Sequence, residues 1–460
     1  MAKRMREFIR IDPELCSGCQ RCHTVCPVDA IEGEPGEPQK ICGDACVMCG
    51  QCVQICSAYD AFFEKDADWR VQKLRERNMP DGTNEPLFAA HYRGNFLAVK
   101  EILMHKNKFT MVQCAPAIRV ALAEEFGMPL GSLVPGKMAA ALRRLGFDRI
   151  YDTNFAADLT IMEEGSELIK RLTEGGTLPM FTSCCPAWVK FIEDKYPELV
   201  GHLSSCKSPQ QMAGAIFKTY GAGLDGVAGE NIYSVAIMPC TCKSFEAGRQ
   251  EMKASGYQDV DAVLTTRELG YLIKEAGIDF AGLPEEEFDK PLGIYSGAGN
   301  IFGVTGGVME AAIRSAYEMV SGKPLDSINV TSVRGEIGVR RTIIDAGEFQ
   351  LKTVVVSGLK NVLSLLETVK QGNAEFDFME VMTCPSGCIS GGGQPKMLLP
   401  LDVPDAYHNR RNSLYRHDEE LTYRQSHENP EIKTVYEQFL GEPLGHQSHK
   451  LLHTSYKASS

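Results

Sequence analysis

Histidine is scarce in the part of this sequence where an enzyme would be expected to use it. Ten are present, but between His105 and His408 only His202 occurs. The long central region therefore cannot assemble a histidine-rich zinc site and is a poor candidate for a Ser-His-Asp triad. Its chemistry has to rest on sulfur, carboxylates and lysine. Long apolar runs are missing too. No stretch of about 18 apolar residues occurs, and the N-terminal MAKRMREFIR has neither an apolar h-region nor a small-residue cleavage site. The expectation is a soluble, cytoplasmic protein with no membrane partner. Positive charge is in deficit, with 48 Lys and Arg against 60 Asp and Glu for a formal net charge of −12, which argues against nucleic acid as a partner. No GxGxxG fingerprint follows a candidate strand, so nicotinamide dinucleotide has no visible site.

Cysteine, by contrast, is abundant. There are 17, nine of them from Cys16 to Cys56, and in a reducing compartment such close spacing argues for metal or redox chemistry rather than disulfides. The first sixty or so residues are too few and too loop-rich to fold on apolar burial alone, and bound clusters would supply the missing stability. Cys16, Cys19, Cys22 and Cys26, followed by Pro27, form the bacterial ferredoxin run, and Cys46, Cys49, Cys52 and Cys56 repeat its spacing thirty residues later. In that arrangement the fourth cysteine crosses over. Cys16, Cys19, Cys22 and Cys56 are thus assigned to one 4Fe4S cluster, and Cys46, Cys49, Cys52 and Cys26 to the other. A pair of zinc knuckles is the competing reading, and the doubled spacing disfavours it. Cys42 lies outside both runs and reads as a free thiol. Lys3, Arg4, Arg6, Arg10, Arg21 and Lys40 gather around this region and are expected either to steer an anionic ferredoxin or to be plainly solvated.

The chain of 460 residues exceeds the ~250–300 at which single cores stop growing, so two or three domains are expected. Residues 1–64 read as an α+β bacterial ferredoxin-like domain and residues 65–107 as a polar helical connector, with WRVQKLRERN and FLAVKEILMHKNK at helical spacing. From residue 108 the pattern becomes short β-rich runs followed by amphipathic helices, which predicts an α/β catalytic core of two lobes with mostly parallel sheets over 108–400. FTMVQ runs through Cys114 into APAIRVALAEEF, PMFTS through Cys184 and Cys185 into PAWVKFIEDKY, YSVAIM through Cys240 into CKSFEAGR, and FMEVM through Cys384 to Cys388 and GGGQP. Each junction puts a cysteine at a strand's carboxyl end, where open α/β sheets hold ligands and helix N-termini stabilise anionic sulfur. Residues 401–460 read as a helical strap packed on the core, because Leu414, Tyr415, Leu421, Tyr436, Phe439 and Leu440 give it something to bury. The core holds eight cysteines, Cys114, Cys184, Cys185, Cys206, Cys240, Cys242, Cys384 and Cys388. Spacing supports a third cluster there and does not choose its four ligands.

TSCCPAW (Thr182 to Trp188), MPCTCKSFE (Met238 to Glu246) and EVMTCPSGCISGGGQP (Glu380 to Pro395) resemble, in order, the three signatures of FeFe hydrogenases. DTNFAADLTIMEE, LSSCKSPQQ, YSGAGNIFGVTGGVMEAA and SHENPEI extend the resemblance from the ferredoxin-like region to near the chain's end. It implies that Cys185, Cys240, Cys384 and Cys388 hold the 4Fe4S part of an H-cluster, and that Cys388 bridges to a diiron subcluster with carbonyl, cyanide and dithiolate ligands. It also implies that Lys243 pairs with one cyanide, that Ala115 and Pro116 present backbone near the other, and that Gln210, Met238, Pro239, Phe302 and Met382 shape the pocket. The implied activity is reversible dihydrogen oxidation and proton reduction. Electrons would pass through the two N-terminal clusters to or from ferredoxin or a similar one-electron carrier, and maturation proteins would install the cofactor. Cys184, Glu164, Ser204 and Glu167 match the family's proton carriers; Glu164 and Glu167, three apart on a predicted helix, share a face.

Ala117 stands where many relatives carry a serine able to bond a cyanide, and Cys206 and Cys242 stand where small non-thiol residues are common. Two other functions compete. A non-catalytic assembly factor is disfavoured by Lys243, Cys388 and the glycine-rich segment, and a hydrogen sensor by the want of sequence for an added signalling domain. A catalytic subunit of a larger NAD-linked complex would need nicotinamide to bind elsewhere.

Overall fold

The computed structural model describes residues 8–59, 86–336, 338–346, 349–397 and 399–458. Lys3, Arg4, Arg6 and the helix expected at WRVQKLRERN lie outside them. In the N-terminal unit, β1 (Ile9–Ile11) pairs antiparallel with β4 (Ala90–Tyr92), and β2 (Ile31–Glu32) with β3 (Lys40–Ile41). The doubled cysteine motif gives a doubled backbone. Gly18 and Gln20 in the first run, and Met48 and Gly50 in the second, all take left-handed conformations (φ 69°, 57°, 58° and 74°) before the short helices Arg21–Val25 and Gln51–Ile55. The segment read as a purely helical connector contributes β4 to this sheet. Leu87 and Ala89 pack with Leu15 and Ala58, and the Ala90 amide points at Cys56 Sγ (3.3 Å). Only then does the helix Phe96–His105 begin, burying Phe96, Val99 and Leu103.

Two sheets form the core. In one, β6 (Arg149–Asp152), β5 (Phe109–Cys114), β8 (Ile232–Met238) and β9 (Ala262–Thr265) lie side by side in that order, all parallel. In the other the order is β10 (Gly338–Ala346), β11 (Phe349–Ser357), β12 (Phe378–Met382) and β7 (Met180–Phe181), parallel except for the β10–β11 hairpin at one edge. Strands β5, β8 and β12 are almost wholly buried, as expected of parallel strands covered on both faces. Sheet edges and helices are thus arranged so that β5, β7, β8 and β12 all end next to cysteines.

Two local expectations differ. After Cys114 there is no amphipathic helix but a pair of 3-10 turns, Pro116–Ile118 and Leu122–Phe126. Residues 115 to 123 are all buried and the Arg119 guanidinium bonds Asp152 at 2.8 and 2.9 Å inside the protein, so the segment has no solvent face to present. Cys384 and Cys388, although spaced like neighbours on an α-helix, do not share one, and Cys388 opens the 3-10 turn Cys388–Ser390. They flank a tight turn in which Ser386 (φ 64°) and Gly387 (φ 91°) are left-handed. The C-terminal strap forms helices Val403–Glu420, Pro430–Val435 and His446–Leu452; Leu414, Tyr436 and Leu440 are buried, and Tyr415, Leu421 and Phe439 partly so. Asp158 on the long helix Thr153–Thr173 fastens it, accepting from Ser426 Oγ (2.8 Å) and Asn429 Nδ2 (2.9 Å) of the SHENPEI segment and from the Ser296 amide (2.7 Å) of the glycine-rich loop.

Candidate active site and electron relay

The carboxyl ends of the two sheets face one cavity. Its wall contains Cys184, Cys185, Cys240, Cys384 and Cys388 together with Ala115, Pro116, Gln210, Met238, Pro239, Lys243, Phe302 and Met382. Thus every residue placed around the core cofactor by resemblance is brought to the same place, along with Ala117, Thr153 and Ala157. Burial pushes the Cys240 thiol up to about 12, with Cys185 adding to the rise, and Cys384 and Cys388 are raised by burial and by Cys240 and Cys185. Cys240, Cys384 and Cys388, crowded beside Cys185, resist ionisation as free groups. They fit together as ligands of a shared metal centre, where the thiolate charge is neutralised. Gln210 Oε1, buried in the wall, meets no donor from the described residues.

Lys243 begins a short helix at the mouth of β8, and its Nζ donates to the Cys184 carbonyl (3.0 Å) and to Glu246 Oε2 (2.9 Å). Burial works against the ammonium, but Glu246 outweighs it and raises the lysine above its usual range. Glu246 Oε2 also accepts from Ser208 Oγ (2.9 Å) and Gln210 Nε2 (3.1 Å). One carboxylate therefore aims both the lysine and the glutamine of the cavity wall. The motif MPCTCKSFE puts Glu246 three residues from Lys243 on one helix, but gave no sign of its bonds to Ser208 and Gln210, which come from a different segment.

Cys184 is next to Glu164, and burial, followed by that carboxyl, raises its thiol well above the ordinary range. Glu164 itself is pushed up to about 8, first by burial and then by Glu167; the Ser204 hydroxyl and Ser183 amide face it and restrain the rise. Neither Glu164 oxygen makes a well-aligned hydrogen bond to the described residues. Ser204 Oγ donates to Glu167 Oε2 (2.8 Å), and Arg171 Nη2, partly exposed, donates to Glu167 Oε1 (2.6 Å). Cys184, Glu164, Ser204 and Glu167 hence form one file from the cavity towards the surface.

In the N-terminal unit the thiols lie in two neighbouring groups. Burial raises the Cys22 thiol to about 11, and its thiol neighbours are Cys16, Cys19 and Cys56; Cys49 and Cys52, raised by burial, neighbour Cys46 and Cys26, and Cys52 also lies near Cys22. Backbone amides are aimed at the sulfurs, Gln39 N at Cys16 (3.4 Å), Ala30 N at Cys26 (3.2 Å) and Met48 N at Cys46 (3.3 Å). The second set adjoins the core. Cys240 is among the neighbours of Cys49, and Cys49 among those of Cys384. Gln51 Nε2 donates to the Ser390 carbonyl (3.1 Å), Gln54 Nε2 to those of Gly391 (2.9 Å) and Gln394 (2.8 Å), and Thr241 Oγ1 to that of Met48 (2.7 Å). The first set lies at the other end, with Cys19 exposed. Of the basic residues expected there, Arg10 and Arg21 are half-buried and Lys40 is exposed, and Glu14, Glu32, Glu34 and Glu37 are exposed in the same segment.

Comparison with known proteins agrees with this geometry. The profile of the iron only hydrogenase large subunit, C-terminal domain, matches residues 108–392, that of the iron hydrogenase small subunit residues 404–459, and that of a 4Fe-4S dicluster domain residues 8–57. The chain belongs to the FeFe hydrogenases. It is 44% identical to the NADP-reducing hydrogenase subunit HndD of Solidesulfovibrio fructosivorans, over 97% of this chain and 74% of that protein. It is 46% identical to the periplasmic Fe hydrogenase large subunit of Nitratidesulfovibrio vulgaris, over 86% and 89% respectively. A solved FeFe hydrogenase HydA1 variant from Chlamydomonas reinhardtii superposes with a TM-score of 0.70 at 43% identity, covering 80% of this chain and 99% of that one. The protein is an iron hydrogenase whose cofactors are iron-sulfur clusters, two of them 4Fe4S, and an H-cluster. The thiol set, the apolar cavity, the lysine and the unpartnered Gln210 oxygen suit such a hydrogenase cofactor. Sequence reasoning missed Glu246, Asp158 and the partners of Cys206, all of which depend on contacts between distant segments.

Proposed function

We propose that this hydrogenase interconverts dihydrogen with protons and electrons in both directions. In this reading Cys185, Cys240, Cys384 and Cys388 hold the cubane of the H-cluster, and the two N-terminal sets pass electrons to or from a ferredoxin-like one-electron carrier. The observation that carries it is the convergence of those four thiols on one apolar cavity beside Lys243. When bound, the H-cluster supplies the redox-active iron at which dihydrogen is made or split. The chain's own residues do the rest. Lys243, held by Glu246, offers an ammonium to an anionic cofactor ligand, and Ala115 and Pro116 bring backbone to the opposite wall. Met238, Phe302 and Met382 keep water out. Cys184 stands at the inner end of the proton file, Glu164 receives from it or returns to it, and Ser204 can both accept and donate between the carboxyls. Ala117 offers no hydroxyl at this wall, so its methyl contributes only packing.

The test is an infrared spectrum of the matured protein joined to hydrogen-deuterium exchange and dye-linked turnover. Metal carbonyl and cyanide bands with exchange support the reading; their absence after correct maturation removes it. A second reading, in which this chain is the catalytic member of an NADP-linked assembly, is favoured by the likeness to HndD over nearly the whole chain. Copurification with a flavin- or nicotinamide-binding subunit, and failure to exchange electrons with reduced ferredoxin, would select it. A cytoplasmic site of action is also part of the proposal, supported by closely spaced cysteines that read as cluster ligands rather than disulfides. Cell fractionation tests it, and recovery in the periplasm would reject it.

A further inference from the structure

Behind the outer end of the proton file, Glu167 belongs to a second constellation. Glu167, Cys206 and His453 are all buried, and their ligand atoms lie within 4.8 Å of one another. Cys206 Sγ is 3.8 Å from Glu167 Oε2 and 3.9 Å from His453 Nδ1. The ring is oriented from its far side, where His453 Nε2 is 2.9 Å from Glu163 Oε2. With Nε2–H given to Glu163, the Nδ1 lone pair faces the thiol and the second carboxylate. Glu163 is fixed in turn by the Leu444 amide (2.8 Å) and the Tyr436 hydroxyl, both from the strap. Glu167 is fixed by the Ser205 amide at 3.0 and 3.2 Å. A carboxylate behind an imidazole is the arrangement that orients a histidine for a metal.

We infer that Glu167, Cys206 and His453 form a binding site for a divalent cation of the zinc type. One sulfur, one imidazole nitrogen and one carboxylate oxygen suit zinc, with bonds of about 2.3, 2.0 and 2.1 Å. In a tetrahedron those bonds put ligand atoms roughly 3.3–3.6 Å apart, so the two separations from the sulfur, 3.8 and 3.9 Å, need to close by only a few tenths of an ångström, and Glu167 and His453 close on each other from within 4.8 Å. Ser205 Oγ, 2.8 Å from Nδ1, or a water completes the shell. On binding, the Cys206 S–H bond breaks, its proton leaves to solvent, and sulfur donates the lone pair to the cation with no change of oxidation state. Entry is short. His453 follows the last helix, is bridged to Cys206 through the Lys207 and Thr454 amides (2.8 Å each), and stacks on the exposed His449 at 4.7 Å. The site stands on its own contacts. Its consequence for turnover rests on the proton file proposed above, because a cation on Glu167 withdraws that carboxylate from it.

The test uses the matured full-length enzyme and zinc ions alone. After desalting, one zinc per chain should remain beyond the iron complement, and zinc-edge X-ray absorption should show one sulfur with nitrogen and oxygen neighbours. Cys206→Ala and His453→Gln should each weaken binding at least about tenfold, with iron content and carbonyl bands unchanged. Should Cys206→Ala not accumulate, Cys206→Ser and Glu163→Gln provide the same comparison. A shell with several sulfurs, or undiminished zinc in the His453 and Cys206 variants, overturns the site. Zinc should also slow turnover reversibly, and Cys206→Ala should lose that sensitivity. One-sulfur binding with unaltered turnover would keep the site and reject Glu167 as a proton carrier.

Discussion

Glu164 is held where its neutral form is favoured, 1% exposed and with neither oxygen in a well-aligned hydrogen bond among the described residues. A carboxyl near 8 can both give and take a proton at working pH. Glu164→Gln and Cys184→Ala should therefore each lower turnover at least ~100-fold, the lower end of what a positioned acid-base group supplies, with full iron content and carbonyl bands; near-normal turnover in both would mean that protons take another route. The same burial affects stability. The folded carboxyl is raised from 4.5 to about 8, so its contribution is intact below about 4.5 and is lost as pH rises through 8. Glu164→Gln removes that loss. Its unfolding temperature, relative to the parent, should climb between pH 5 and 8, by on the order of a few kcal/mol in stability. A difference that stays flat across that range would show the carboxyl to be ionised in the fold. The file itself was readable in part. Glu164 and Glu167 share a helix face at three-residue spacing and Ser204 was reached through the family resemblance, whereas the bonds that Ser208 and Gln210 give to Glu246 become legible only once the chain folds.

Among the elements, parallel strands ending in cysteines were legible because a buried strand and its following helix differ in period, and β5, β7, β8 and β12 end as expected. The turns after Cys114 were not, since an alanine-rich run with a charged residue looks amphipathic until Arg119 turns inward to Asp152. β4 was hidden because a three-residue strand carries almost no periodic signal. The strap was recognisable from its apolar residues, but its anchor was not. Asp158 gathers Ser296, Ser426 and Asn429 at one carboxylate. Asp158→Ala leaves these buried donors without an acceptor, at about 1–3 kcal/mol for each group left unpaired. The variant should unfold at lower temperature, and amide exchange should speed up first in the strap and glycine-rich loop. Uniform acceleration across the chain would reject the anchor.

At the scale of the whole molecule, the two halves touch through backbone. A methyl built on Gly392 lies 2.6 Å from the Gly50 Cα and 2.7 Å from the Cys49 carbonyl oxygen, and neither can swing away as a side chain would. Gly392 follows the last cysteine signature and Gly50 sits inside the second ferredoxin-like run, so two glycines let the loop bearing Cys49 approach the turn bearing Cys388. In the proposed relay, electron transfer between the halves depends on that approach; hydrogen-deuterium exchange at the H-cluster involves no net electron flow and does not. Cys49→Ala should lose one 4Fe4S equivalent of iron and slow carrier-linked turnover, while exchange largely survives. Gly392→Ala separates geometry from ligation. It should keep the full iron complement and exchange activity, yet reduce turnover with an external carrier by roughly tenfold or more, because the loops must part to admit the methyl. If carrier-linked turnover and exchange fell together in Gly392→Ala, with its carbonyl bands intact, the damage would lie in the cavity itself and the contact between Gly50 and Gly392 would not be the electron bridge.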